Sequence, residues 1–202
     1  MAGDTGTRLR HPANVGEVGK LYDGIDDKLA GWLGRQPLFF VATAPLSQDG
    51  HLNLSPKGLA GTFRVLDEHT VAYLDLTGSG IETLAHLREN GRIVLMFCAF
   101  DGPPRIVRLW GRGGAVLPGH PDFAGLAAGF PEHVGTRSVV RVDVTRVQDS
   151  CGYAVPRMDL IADRDVLDLH HAKQGVDGLA AYRAERNATS LDGLPGLDPP
   201  TS

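Results

Sequence analysis

Residues 71–90 read VAYLDLTGSGIETLAHLREN, and the reading of this stretch decides the fold. VAYLDL is an apolar strand. IETLAHLREN places Ile81, Leu84 and Ala85 on one helical face, and Asn90-Gly91 closes the helix as a left-handed cap would. Between them lies a glycine-rich turn, Thr77-Gly78-Ser79-Gly80. Strand, glycine-rich turn and helix start in this order commonly hold a phosphate. The glycines let backbone N–H groups approach closely, and the helix N-terminus adds a favourable dipole.

Three readings compete. In a dinucleotide fold, Gly78-Ser79-Gly80 would open a GxGxxG run, and Asp101 would stand about where a ribose-binding acid sits. Against it, the third glycine is Thr83, the helix is short, and the surrounding strands are joined by hairpin-length turns. A structural turn without a ligand is the second reading. The third is a mononucleotide phosphate cradle, in which Thr77, Ser79 and Thr83 donate hydroxyl protons and Gly78 and Gly80 admit the phosphate to the backbone. Glu82 is its awkward member, because a carboxylate beside a dianion is unfavourable unless it points away or meets an arginine. Lys57 and Arg105, each just outside a strand, are candidate counter-charges.

Outward from this stretch, the chain is a series of short strands. A helix is expected over Asp26–Leu33 and a buried strand over Leu38–Ala44. Ser47–Gly50 (SQDG) is turn chemistry, and HLNLS alternates as a half-buried strand before stopping at Pro56-Lys57-Gly58. Strands are expected over 62–66 and 70–76. RIVLMFCAF is continuous and apolar, as in a central strand, and RIVRLWG alternates after the DGPP turn. GRGGAVLPGH reads as a loop and short strand, HPDFAGLAAGF as a helix, and Ser138–Val147 as a strand. Residues 165–187 read as two helical stretches broken at Gln174-Gly175. About seven hairpin-linked strands with few, short helices predict a mainly β protein, an antiparallel barrel with peripheral helices. Residues 1–20 are expected to be flexible, 21–187 to form the domain and 188–202 a tail. Near the tail, RNATSLDGLPGL holds three leucines that want burial, either over a dimer groove or as a terminal clip.

Composition narrows the function. The balance of 20 basic against 24 acidic residues, net −4, argues against non-specific nucleic-acid binding. Two cysteines, Cys98 and Cys151, make no disulfide framework, so a reducing cytoplasm is expected. The N-terminus has no secretory apolar region, and no run approaches the ~20 apolar residues of a membrane span. His170-His171 lie on a helix, where adjacent positions do not share a face, so no metal site is expected. No Ser-His-Asp or Cys-His constellation can be argued from spacing, and Trp110 reads as core or interface.

The segments HLNLSPKG, LDLTGSGIETLAHLRENGRIVLMF and PPRIVRLWGRG, in this order and spacing, resemble the pyridoxamine 5'-phosphate oxidase-like superfamily of FMN-binding split barrels. The likeness covers roughly residues 38–147. It implies an antiparallel split β-barrel and a homodimer with FMN at the subunit interface, acting on a small molecule. The flavin would lie along Asn53, Ser55, Pro56, Lys57 and Gly58. Its phosphate would meet Thr77, Gly78, Ser79, Gly80 and Thr83, with Arg105 near and Tyr153 of SCGYAVP returning towards the ring. The oxidase has an Arg-Lys pair at the helix start, where this chain has Glu82-Thr83, which weakens any claim to vitamin B6 oxidation. A flavin-dependent oxidoreductase is the leading expectation. Alternatives on the same fold are a flavin- or haem-binding protein without turnover and a deazaflavin-dependent reductase. FMN would carry the redox chemistry, so no catalytic side chain is assigned.

Overall fold

Hairpin-length connections give the antiparallel sheet they predict. The computed structural model describes residues 19–198. The segment expected to be flexible, residues 1–20, thus lies outside the described residues except for its last two. The elements run β1 (Leu21–Tyr22), α1 (Asp27–Gly34), β2 (Phe39–Thr43), β3 (Asn53–Lys57), β4 (Phe63–Asp67), β5 (Thr70–Leu76), α2 (Glu82–Asn90), β6 (Arg92–Cys98), β7 (Ile106–Val116), α3 (Phe123–Ala127), β8 (Thr136–Ser150) and α4 (Val166–Arg186). All ladders are antiparallel, in the order β3-β2-β6-β7-β8-β5-β4, with β1 paired to the end of β8. The dinucleotide reading, which needs parallel strands, is thereby excluded.

The sheet curls until its two sides nearly meet. Phe39 on β2 and Phe63 on β4 approach with ring centroids 5.4 Å apart, although no ladder joins their sides of the sheet. This is a split barrel, open along the seam between β3 and β4. Its interior holds Val41, Tyr73, Leu95, Phe97, Leu109 and Val142, all fully buried. Outside β5 and β8, Ala72, Leu74 and Val139 pack with Phe130 and residues of α3. That second cover explains why VAYLDL is apolar on both faces.

Local chemistry explains most boundaries. Asp26 caps α1 by accepting from Leu29 N at 2.7 Å, and Gly91 ends α2 with φ of 70°. Pro56 is tolerated because β3 is an edge strand. The helical break expected at Gln174-Gly175 is present, with Gly175 at φ 67° inside α4. Three expectations are corrected. There are eight strands among the described residues, because the two-residue β1 is too short to carry a pattern. GRGGAV is no loop but the second half of β7, pairing with β8 through a bulge at Trp110/Gly111. Gly111 lies so close to the Asp143 carbonyl that a Cβ would overlap it. HPDFAGLAAGF yields only the five-residue α3.

Candidate functional site

Alternation along β3 decides what faces the seam. Asn53, Ser55 and Lys57 share the inward face of their partners Thr43, Val41 and Phe39, while Leu54 and Pro56 point outward. Asn53 Nδ2 donates to Thr83 Oγ1 at 2.9 Å and to Thr43 Oγ1 at 3.2 Å; Ser55 Oγ donates to Asn53 Oδ1 at 2.8 Å. The strand and the first turn of α2 are therefore joined directly. Thr83 accepts in this bond and keeps its own proton to donate.

The glycine-rich turn is held from behind. Thr77 N and Thr77 Oγ1 both donate to Gly135 O, at 2.8 and 2.9 Å, and Arg183 Nε donates to Thr77 Oγ1 at 2.8 Å. The Thr77 hydroxyl thus spends its only proton within the protein. His171 Nε2 lies 2.9 Å from Thr77 O, so that nitrogen carries the proton; Nδ1 has no partner among the described residues and packs on Gly135. Burial pushes the His171 imidazole below its ordinary range. Ser79 and Gly80 are exposed.

Between seam and turn sits a buried charge cluster. Asp75, fully buried, takes Arg137 Nε at 2.7 Å and Arg137 Nη2 at 3.1 Å, with Ser138 Oγ at 3.2 Å and Lys57 Nζ at 3.4 Å. Burial would raise the Asp75 carboxyl, but the charges of Arg137 and Lys57 and their hydrogen bonds outweigh it and hold it below the usual carboxylate range. Arg137 Nη1 reaches Asn187 Oδ1 at 2.8 Å and Gly80 O at 3.0 Å; Asn187 Nδ2 donates to Gly78 O at 3.0 Å and Ser79 O at 3.4 Å.

The chain beyond α4 folds back onto its own α2 and barrel, leaving Leu191 71% exposed. Leu191 N donates to Glu82 Oε1 at 3.2 Å, so the awkward carboxylate is engaged by the tail. Asp192 receives His51, and Arg88 holds Gly196 O and Asp198. Leu197 packs against the barrel core.

Other predicted residues lie elsewhere. Arg105 is at the opposite end of β8, with Nη2 2.6 Å from Tyr22 Oη and 3.3 Å from Asp149 Oδ2, and its guanidinium over Trp32 at 4.9 Å. It does not join the turn. Tyr153 is 61% exposed and makes no side-chain hydrogen bond among the described residues. Gly58 lines a cavity of about 170 Å³ at the barrel mouth, with Phe39, Lys57, Phe63, Leu160 and Asp163. No group of three or more His, Cys, Asp or Glu among the described residues could hold a metal. Sequence reasoning missed Asp75, Arg137, Arg183 and Asn187. The signal for Asp75 was present: one carboxylate inside an otherwise apolar strand needs a cation.

Comparison with known proteins gives a consistent family match. A family model described as "Pyridoxamine 5'-phosphate oxidase" matches residues 25–151. The chain is 43% identical over 192 residues to the pyridoxamine 5'-phosphate oxidase family protein ustO of Aspergillus flavus, covering 87% of this chain and 77% of that protein. Among solved structures, HupZ of Group A Streptococcus aligns with TM-score 0.49 and 21% identity, covering 67% of this chain and 99% of that one. An FMN-binding protein from Syntrophomonas wolfei aligns with TM-score 0.44 and 15% identity, covering 59% and 82%. An FAD-binding protein from Mycobacterium smegmatis aligns with TM-score 0.43 and 18% identity, covering 64% and 95%.

Proposed function

The chain belongs to the pyridoxamine 5'-phosphate oxidase family, and on that premise we propose that it is a cytoplasmic, homodimeric, FMN-dependent oxidoreductase acting on a small molecule. One observation carries the cofactor reading: β3 and the helix start that follows the glycine-rich turn, 30 residues apart in sequence, meet at one seam through Asn53 and Thr83. The donors there suit a phosphate monoester. Ser79 and Thr83 have hydroxyl protons to give, and the first amides of α2 have no side-chain cap. The missing Arg-Lys pair leaves backbone amides as the main donors, and Glu82 gives Oε1 to Leu191 N while its Oε2 lies against Gly80. In this reading Asn53, Ser55 and Lys57 border the flavin, and FMN supplies the hydride chemistry when bound. The protein's part is to bind the phosphate, orient the ring and exclude water.

The dimer reading rests on the outer sheet face. Leu54, Ala42, Val94 and Trp110 form one cross-strand row there, and Pro56, Phe40 and Met96 the next. Leu52 and Leu54 are 81% and 67% exposed in the single chain, so this row is apolar surface for a second copy to cover. The absorbance spectrum and light scattering of the purified protein test both halves. Flavin bands on a dimer are expected; a Soret band would make it a haem protein, and a flavin-loaded monomer would sink the shared interface.

A further inference from the structure

We propose that Asn187, the C-cap of α4 and locked by Arg137, is a positioning residue for the phosphate: it turns the amides of Ser79, Gly80 and Ile81 towards the ligand. The inference rests on the FMN reading above and adds a component to it that lies beyond the β-barrel strands.

The geometry follows from peptide planarity. No peptide is cis, and in a trans peptide the N–H of one residue points opposite to the carbonyl of the residue before it. Asn187 Nδ2 takes the carbonyls of Gly78 and Ser79, and Arg137 Nη1 takes that of Gly80. Three successive carbonyls are thus pinned by Asn187 at the end of α4 and Arg137 on β8. The amides that follow them, of Ser79, Gly80 and Ile81, must then face the other way. Among the described residues none of the three donates to a protein acceptor. A row of consecutive unpartnered amides leading into a helix start is an anion-binding concavity, here with Ser79 and Gly80 exposed and Ile81 1% exposed at its inner end.

The pinning is over-determined. Arg137 can only donate, so Asn187 must turn Oδ1 to it at 2.8 Å and present its NH₂ to the turn. Asp75 in turn fixes Arg137 with two bonds. The Asn187 backbone is tied on both sides, its N–H to Arg183 O and its carbonyl to Leu197 N, each at 2.8 Å. Gly196 approaches so closely that a Cβ would overlap Asn187 O. Asn187 is wholly buried, so its amide group has no competing water. Arg137 on Gly80 O also polarises the Gly80–Ile81 peptide, strengthening Ile81 N–H as a donor. This arrangement places cationic influence behind the turn, where the helix start itself offers Glu82.

The test separates phosphate from ring. Affinities for FMN and riboflavin are measured on the wild-type chain, Asn187→Ala and Asn187→Asp; the last is isosteric and keeps the acceptor for Arg137 but cannot donate to the carbonyls. FMN affinity should fall at least tenfold in both variants while riboflavin affinity stays within twofold. On the wild-type chain, FMN but not riboflavin should slow hydrogen exchange at Ser79, Gly80 and Ile81, a readout that holds even if a variant does not fold. Equal loss for both ligands, unchanged FMN affinity, or exchange at these amides indifferent to FMN would overturn the role of Asn187. A wild-type chain that takes up neither ligand would instead overturn the flavin reading, and this inference with it.

Discussion

The two ends of β8 each carry an arginine–aspartate pair, and they differ in what surrounds them. Near Thr136, Arg137 is 4% exposed and serves Asp75, Asn187 and Gly80 O at once, with water shut out. Near Ser150, Arg105 is 24% exposed, meets Asp149 at 3.3 Å and rests on Tyr22 and Trp32. The first pair ties β5, β8, the turn and the tail together; the second fastens the short β1. A guanidinium has enough donors to organise a site only where several acceptors converge and solvent does not compete. Charge alone, as read along a sequence, does not distinguish the two.

The largest separation should come from removing each carboxylate. Asp75→Ala leaves Arg137 and Lys57 uncompensated in a buried site and should cost about 3–5 kcal/mol in urea unfolding. Asp149→Ala, at a partly exposed site where the carboxylate also accepts from Tyr22 Oη and Lys20 N, should cost less, about 1–2 kcal/mol. Equal losses would erase the distinction between the two ends. Next, Thr83→Val removes one hydroxyl at the seam and should weaken FMN binding by about 1–3 kcal/mol, read by fluorescence titration. An unchanged affinity would take Thr83 out of the site.

Acid should act on the turn's end of the molecule first. Burial lowers the imidazoles of His86 and His171 below their ordinary 6.5, so the unfolded chain binds those protons more readily. Their contribution to stability is complete above 6.5 and lost as pH falls below it. Asp75, lowered from 3.8, contributes fully above that value and is lost only as pH falls further. Denaturant midpoints that stay flat from pH 7 to 5 would contradict the buried-histidine part of this. The smallest effect is expected for Arg105→Ala, which should loosen β1 yet leave FMN affinity within twofold. A larger loss would return Arg105 to the cofactor site.

Much of this was legible in the sequence, for physical reasons. Alternation in HLNLS and the hairpin-length turns fixed the antiparallel barrel, and Asn90-Gly91 marked the end of α2. The glycine-rich turn stood out by its composition, although a Cβ at Gly78 would meet nothing within 4 Å and one at Gly80 only the Glu82 carboxylate. Its supports did not stand out, since Asn187 and Arg183 have ordinary helical neighbours and act only through a fold that returns the tail to α2. Arg105 looked equivalent to Lys57 because both follow or precede a strand end; ladder register put them beside different aspartates. The second half of β7 was hidden by glycines that read as loop, of which Gly111 is there for close contact with the Asp143 carbonyl.

A crystal structure of the FMN complex tests the central claim most directly. The phosphate oxygens should lie within about 3.2 Å of the amide nitrogens of Ser79, Gly80 and Ile81, with the carbonyls of Gly78, Ser79 and Gly80 still on Asn187 and Arg137. Phosphate bound away from this turn, or bound with those carbonyls released from Asn187 and Arg137, would contradict it.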